Sequence, residues 1–258
     1  MTTRNNLGLI LAVVLFATTV ARGQSAAAIT IQADQPGAVV SSNLFGIFFE
    51  EINFAGEGGI YAEMVRNRSF RNSANPDYWT LVTNGVATGR MRVDFSQPLN
   101  TNKPCSLNLT MLSGTGGIGA ANSGFWGMSL LTGATYNLNF YAAGSNSFAG
   151  PVIVQLQNAG GSTVYAQASF GGLTASWQHF AASLVPSGAD TNARIVLSIT
   201  NAGAVWLDEV SLFPQATFHS RTNGLREDLG NMLAALHPCR SFSAICHSQQ
   251  PDPCFHPL

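Results

Sequence analysis

Over residues 78–213 apolar and polar side chains alternate in short runs separated by Gly, Asn, Ser and Pro. The clearest run sets Tyr136, Leu138 and Phe140 on one face and Thr135, Asn137 and Asn139 on the other. A period of two describes a strand with one buried face. Residues 151–157, 162–168, 193–199 and 205–212 repeat the pattern. Roughly ten such strands, with no alternation of strands and helices, predict an antiparallel β-sandwich or jelly roll.

The flanks read differently. Ile29 and Ile31 alternate with Thr30 and Gln32 ahead of a turn signal at Gln35-Pro36-Gly37. Residues 44–49 are then almost continuously apolar, which describes a strand buried on both faces, as at the centre of a parallel sheet or barrel. That run ends in Glu50-Glu51-Ile52-Asn53, and Ile60, Met64 and Val65 predict one side of a short helix within 60–70. Beyond Pro214, Leu225, Leu229, Met232, Leu233 and Leu236 fall at helical spacing behind Asn223-Gly224, and His237-Pro238 stops the helix. Residues 239–258 show neither period. The expected organisation is a leader over 1–23, a strand and first segment over 24–74, a sandwich over 75–214, a helix over 215–238 and an aperiodic tail. The strand at 44–49 would find no parallel neighbour, leaving an edge prone to association, while the sandwich would fold independently.

Composition narrows the function. Arg4, the apolar stretch 7–20 and the small residues of Ala21-Arg22-Gly23 describe a secretory signal cleaved near Gly23. An uncleaved anchor is the alternative, although the stretch is short for a span of roughly 20 residues. No second apolar run follows, so a secreted or periplasmic protein is expected, with no membrane attachment after cleavage. Charged residues make up 10% of the chain and the formal net charge is −1. Nucleic acid needs a basic stripe to displace counterions, so it is excluded as a partner. A neutral surface rich in amides and hydroxyls suits uncharged polar ligands such as sugars.

Three of the four cysteines, Cys239, Cys246 and Cys254, crowd into the tail, apart from Cys105. Together with His237, His247 and His256 they could be read as a metal site, but close Cys-x2–4-Cys knuckles are missing. A frame shift or truncated gene model accounts better for the abrupt change. Asn67-Arg-Ser69 and Asn108-Leu-Thr110 are glycosylation sequons for a eukaryotic secretory route.

Hydrolysis of a glycosidic bond usually needs two carboxyl groups facing each other, about 5 Å apart when configuration is retained. Glu50 and Glu51 are adjacent on a strand and therefore point to opposite faces, as do Asp208 and Glu209. One of the first pair can face a ligand while its neighbour makes a structural bond.

The stretch Asn43-Leu-Phe-Gly-Ile-Phe-Phe-Glu-Glu-Ile-Asn53, followed by Ala55-Gly-Glu-Gly-Gly-Ile-Tyr-Ala-Glu-Met-Val-Arg-Asn-Arg-Ser-Phe70, resembles the start of the family 51 glycoside hydrolases, the α-L-arabinofuranosidases. The resemblance implies that 44–49 is the first strand of a (β/α)8 barrel, incomplete here, and that Glu50 and Asn53 bind substrate at its carboxyl end. Asn122-Ser-Gly-Phe-Trp-Gly-Met128, Gly133-Ala-Thr-Tyr136 and the stretch 205–214 resemble the carbohydrate-binding module often inserted after that strand. Trp79, Trp126, Trp177 and Trp206 are then candidate platforms for sugar rings, with burial in the core as the alternative. Resemblance also implies a structural calcium at Asp208, and no other cofactor. The similarity ends with the helix at 223–238. The Arg-Phe-Pro-Gly-Gly type motif, the acid/base glutamate of a Gly-Asn-Glu segment and the nucleophilic glutamate of the family are not found, so no residue is assigned a catalytic role. Two functions follow as expectations: an exported arabinofuranosidase-like fragment, inactive alone, or a stand-alone module binding arabinoxylan, arabinan or xylan. A structural β-domain without a ligand is the third.

Overall fold

The computed structural model describes residues 28–35, 37–39, 41 and 46–236, and the backbone alone of 240–244. The chain divides into two units, residues 1–44 and 45–258. In the first, the described residues form no strand: Ile29 and Ile31 are both exposed, and a turn closes ahead of the expected one, Gln35 N–H donating to Gln32 O at 3.2 Å. The proposed leader and most of the tail, including Cys239, Cys246, Cys254, His237, His247 and His256, lie outside the described residues.

The second unit opens with β1 (Gly46–Glu50). The sandwich is built from eleven strands: β2 (Trp79–Gly85), β3 (Thr88–Asp94), β4 (Ser106–Ser113), β5 (Gly116–Asn122), β6 (Met128–Leu130), β7 (Tyr136–Gly144), β8 (Val152–Asn158), β9 (Val164–Phe170), β10 (Gln178–Leu184), β11 (Asp190–Ile199) and β12 (Gly203–Pro214). After it come α1 (Glu227–Ala235) and β13 (Arg240–Ala244). One sheet runs β10-β7-β12-β4-β3 and the other β2-β5-β11-β8-β9, with β6 continuing alongside β11. All neighbours within the two sheets are antiparallel.

The alternation seen in the sequence sets the core. Tyr136, Leu138 and Phe140 point inward from β7, facing Ile195, Leu197 and Ile199 of β11 across a single apolar cluster. Phe140 stacks on Phe180 at 5.4 Å and meets the edge of Phe170 at 5.0 Å. Rings buried in such contacts contribute beyond their area alone.

Two expectations for the flanks are overturned. β1 does have a parallel partner: β13 lies beside it, Gly46 against Arg240 through Glu50 against Ala244, so the tail begins with a strand. A pair of strands covers neither face fully, and Phe48 is 64% exposed. An apolar trough lined by Phe49, Ile60, Leu229, Met232 and Leu236 runs between β1 and α1. The second correction concerns 60–70, where no helix forms. A wide turn over Gly56–Ile60 passes into extended chain whose backbone donors go to distant acceptors. Ala62 N–H donates to Gly224 O, Met64 N–H to Leu212 O and Arg66 N–H to the Asn122 side chain. Donors committed to distant acceptors leave no local ladder of the kind a helix requires.

That segment belongs physically to the sandwich. Val65 and Phe70 are completely buried in its core. Glu63, also buried, accepts from Ser211 Oγ at 2.6 Å and from the backbone N–H groups of Leu212 and Val65 at 3.0 and 2.9 Å. Asn122 uses both ends of its amide, donating to Arg66 O and Tyr78 O while accepting from Arg66 and Gly124. Phe70→Ala should therefore cost about 3–5 kcal/mol, the range for a large core ring replaced by a cavity. Denaturant unfolding that shows a loss below about 1 kcal/mol would contradict the assignment.

Candidate functional site

At the carboxyl end of β1 the two adjacent glutamates separate as strand geometry requires. Glu51 turns back, its carboxylate accepting from Glu57 N–H at 3.1 Å and packing against Gly56. Glu50 is half-buried, and no hydrogen bond or ion pair joins its carboxylate to another described residue. Asn53 and Phe54 both take left-handed backbone (φ 52° and 63°), turning the chain sharply and leaving Asn53 exposed.

The other adjacent pair is divided by a bulge. β12 shifts register against β7 between Asp208 and Ser211, and Glu209 sits there at φ 50°. Glu209 pairs with Lys103 at 2.6 Å and Arg68 at 3.4 Å. Asp208 is completely buried; one carboxylate oxygen accepts from Glu209 N–H at 2.8 Å and the other has no hydrogen-bond partner among the described residues. Among the described residues no cluster of three or more His, Cys, Asp or Glu surrounds it, so the calcium expectation gains no companion ligands. Burial pushes the Asp208 carboxyl up to about 7. Burial also raises Glu63 to about 7, against the opposing effect of its three donors.

The four tryptophans divide by what holds their indole N–H. Trp79 is only 5% exposed, packs on Phe70 and donates to Asn67 O at 3.1 Å, so the expectation that it stacks on a sugar is corrected. Trp206 donates to Asp94 Oδ2 at 3.0 Å from the outer face of the β10–β3 sheet. Trp177, half-buried, donates to Pro98 O at 3.0 Å. The loop 95–105 thus crosses that face, pinned by Trp177, by Ser106 Oγ on Gln97 O and by Lys103 on Glu209. Trp126 differs from all three: it is 68% exposed and has no hydrogen bond to another described residue.

Its position is fixed by strand register. Asn122 at the end of β5 pairs with Ile195, while Met128 at the start of β6 pairs with Ala193, two residues along the same strand. The chain between them has to leave the sheet, and Gly127 N–H closes the excursion on Ser123 O at 3.0 Å. Gly124 (φ 67°) brings the loop against Met64 O, and Gly58 (φ 84°) leaves room for the Phe125 ring. Only glycine meets both the backbone and the spatial demand. Phe125 is thereby anchored inward and Trp126 turned outward, its ring 5.7 Å edge-on from Phe54. Arg66 lies between rings, 3.5 Å from the Tyr78 centroid and 4.4 Å from that of Phe54.

Beside this loop is an open groove of about 1440 Å³. Its lining includes Trp126, Arg221 and Arg226 together with Asn137, Asn139 and Ser183. The last three are on the outward face of β7 and β10, which the sequence marks as polar without marking it as a site. Arg226 is paired with Asp228 at 2.5 Å. Both sequon asparagines, by contrast, are buried, Asn67 at 7% and Asn108 at 2% exposure, and are out of reach of glycosylation in the folded chain.

No family model matches the chain. It is 34% identical over 216 residues to the extracellular exo-α-L-arabinofuranosidase of Streptomyces chartreusis, covering 81% of this chain and 24% of that protein. It is 31% identical over 231 residues to α-L-arabinofuranosidase 2 of Arabidopsis thaliana, covering 83% and 33%. The chain therefore spans a quarter to a third of the length of these relatives. The structure of an arabinose-bound MgGH51 α-L-arabinofuranosidase superposes with a TM-score of 0.72 at 32% identity, over 80% of this chain and 35% of that one. Among the described residues no helix is long and apolar enough to cross a membrane.

The two buried carboxyls give stability a definite pH dependence. The folded chain keeps protons that the unfolded chain releases, so the contribution of these two sites is full below about pH 4 and is lost as pH rises to about 7, on the order of 3 kcal/mol per site. Glu63→Gln preserves the acceptor for Leu212 and Val65 and should flatten the curve; melting that stays equally pH-dependent in both Glu63→Gln and Asp208→Asn would contradict this.

Proposed function

Since this chain is homologous, over four fifths of its own length, to part of the family 51 α-L-arabinofuranosidases, we propose that it is the glycan-holding portion of an exported hydrolase of that kind. The whole protein's reaction is retaining release of terminal arabinofuranosyl groups from arabinoxylan or arabinan. In this reading Glu50 accepts hydrogen bonds from the sugar hydroxyls, and Asn53 adds an amide at the rim of the same strand end. The observation that carries the proposal is the division of labour at the end of β1. Glu51 is consumed by the turn it closes on Glu57, while the Glu50 carboxylate has no bond to another described residue.

In this reading the described residues do not perform the chemistry alone. Proton transfer to the leaving oxygen and attack at the anomeric carbon need two opposed carboxyl groups. Glu50/Glu51 and Asp208/Glu209 are each split by strand geometry or by a bulge, and Glu63 and Asp208 are buried away from solvent. A second reading, a polysaccharide-binding sandwich acting without catalysis, is favoured by the exposed Trp126. Both readings place the protein outside the cell after removal of the leader.

Affinity electrophoresis through arabinoxylan, arabinan and xylan, alongside an aryl arabinofuranoside assay, separates these. We expect retardation without turnover, and retardation by arabinan that weakens about tenfold in Glu50→Gln, the scale of a charge-assisted hydrogen bond. Turnover above buffer by the purified chain would overturn the non-catalytic assignment, and unchanged binding of Glu50→Gln would overturn the role of Glu50.

A further inference from the structure

From the groove beside Trp126 we infer a second glycan subsite: a neutral pentose unit of the bound polysaccharide stacks on the Trp126 ring, and the next units lie over Asn137, Asn139 and Ser183. The ligand's class rests on the function proposed above; the site itself rests on three independent features of the fold.

The first is the disposition of the tryptophans. Three indole N–H groups are bound to Asn67, Pro98 and Asp94, and the loop 95–105 lies across the outer face that carries Trp177 and Trp206. Trp126 keeps an exposed ring, and its indole N–H donates to no other described residue. A sugar ring offers one apolar face and a polar rim, and an exposed indole with a free N–H matches both. The second feature is preorganisation. The excursion 123–127 is pinned at Ile195 and Ala193, closed by Gly127 on Ser123, and tied to the segment after β1 through Gly58, Met64 and Asn122. Stacking on Trp126 therefore requires little ordering of the loop, which removes part of the usual cost of association. The third is the chemistry of the lining. Asn137, Asn139 and Ser183 carry both donors and acceptors without net charge, Asp228 pairs with Arg226, and Glu227 balances the charge of Arg221. That combination suits hydroxyl-rich, uncharged chains.

The consequence is that the sandwich contributes through a strand-to-strand loop and the Asn137–Asn139 end of one outer face, beside the residues that follow β1, while the part of that face around Trp177 and Trp206 is crossed by 95–105. Trp126→Ala removes an exposed ring and Asn139→Ala a half-buried amide, so neither should shift the melting temperature. Measured by affinity electrophoresis of the full chain in arabinoxylan, each should weaken retardation, Trp126→Ala by about tenfold, the scale of one lost aromatic contact. Trp177→Ala should leave retardation within twofold. Retardation unchanged in Trp126→Ala but lost in Trp177→Ala or Trp206→Ala would overturn the inference, with the proposed function intact if Glu50→Gln still weakens binding. A parent chain retarded by no glycan would overturn both.

Discussion

The Glu63 carboxylate holds this structure together at its least obvious joint. From a segment that carries no regular secondary structure it accepts three hydrogen bonds, two of them from β12. Unpartnered buried donors cost roughly 1–3 kcal/mol each, so the segment following β1 stays against the sandwich as long as the side chain is in place. Asn122 makes the second half of the joint, binding the backbone of Arg66 on one side and opening the 123–127 loop on the other. The surroundings of Trp126 depend on these two side chains. They put Phe54, Arg66 and Phe125 in one cluster and leave Trp126 facing outward.

The arrangement also explains how a module with a full sandwich core can serve a neighbouring strand. Loops at the end of a rigid sheet carry binding residues in many folds because the scaffold fixes them without contributing its own faces. Here one outer face is crossed by 95–105, and the inner faces are filled. At the other end of that same face the polar residues of β7 and β10 lie beside a tight glycine-bounded loop, and these are the groups placed to meet a polysaccharide.

The sequence made the sandwich legible because alternation is a local property: Tyr136, Leu138 and Phe140 point inward wherever the neighbouring strands lie. It failed over 60–70, where Ile60, Met64 and Val65 fit a helical face but the backbone donors are claimed by Gly224, Leu212 and Asn122, partners far along the chain. β13 escaped notice for a related reason, since Arg240–Ala244 has no period and is recognisable only by its register with β1. The tryptophans were interchangeable on paper. Trp79 and Trp126 are separated by burial and by the Asn67 carbonyl that takes the Trp79 indole N–H, both tertiary properties. Glu63 stood inside the family-like stretch with nothing to distinguish it from a surface acid, and only its three donors reveal its role.

A bound glycan touches Trp126, and not Trp79 in the core or Trp177 and Trp206 beside 95–105. Amide and indole spectra of the nitrogen-15-labelled chain, titrated with arabinoxylan oligosaccharides, test this directly, because each indole N–H gives its own signal. The Trp126 indole resonance should move together with the side-chain amides of Asn137 and Asn139, while those of Trp79, Trp177 and Trp206 stay in place. A stationary Trp126 signal beside a moving Trp177 or Trp206 would contradict it.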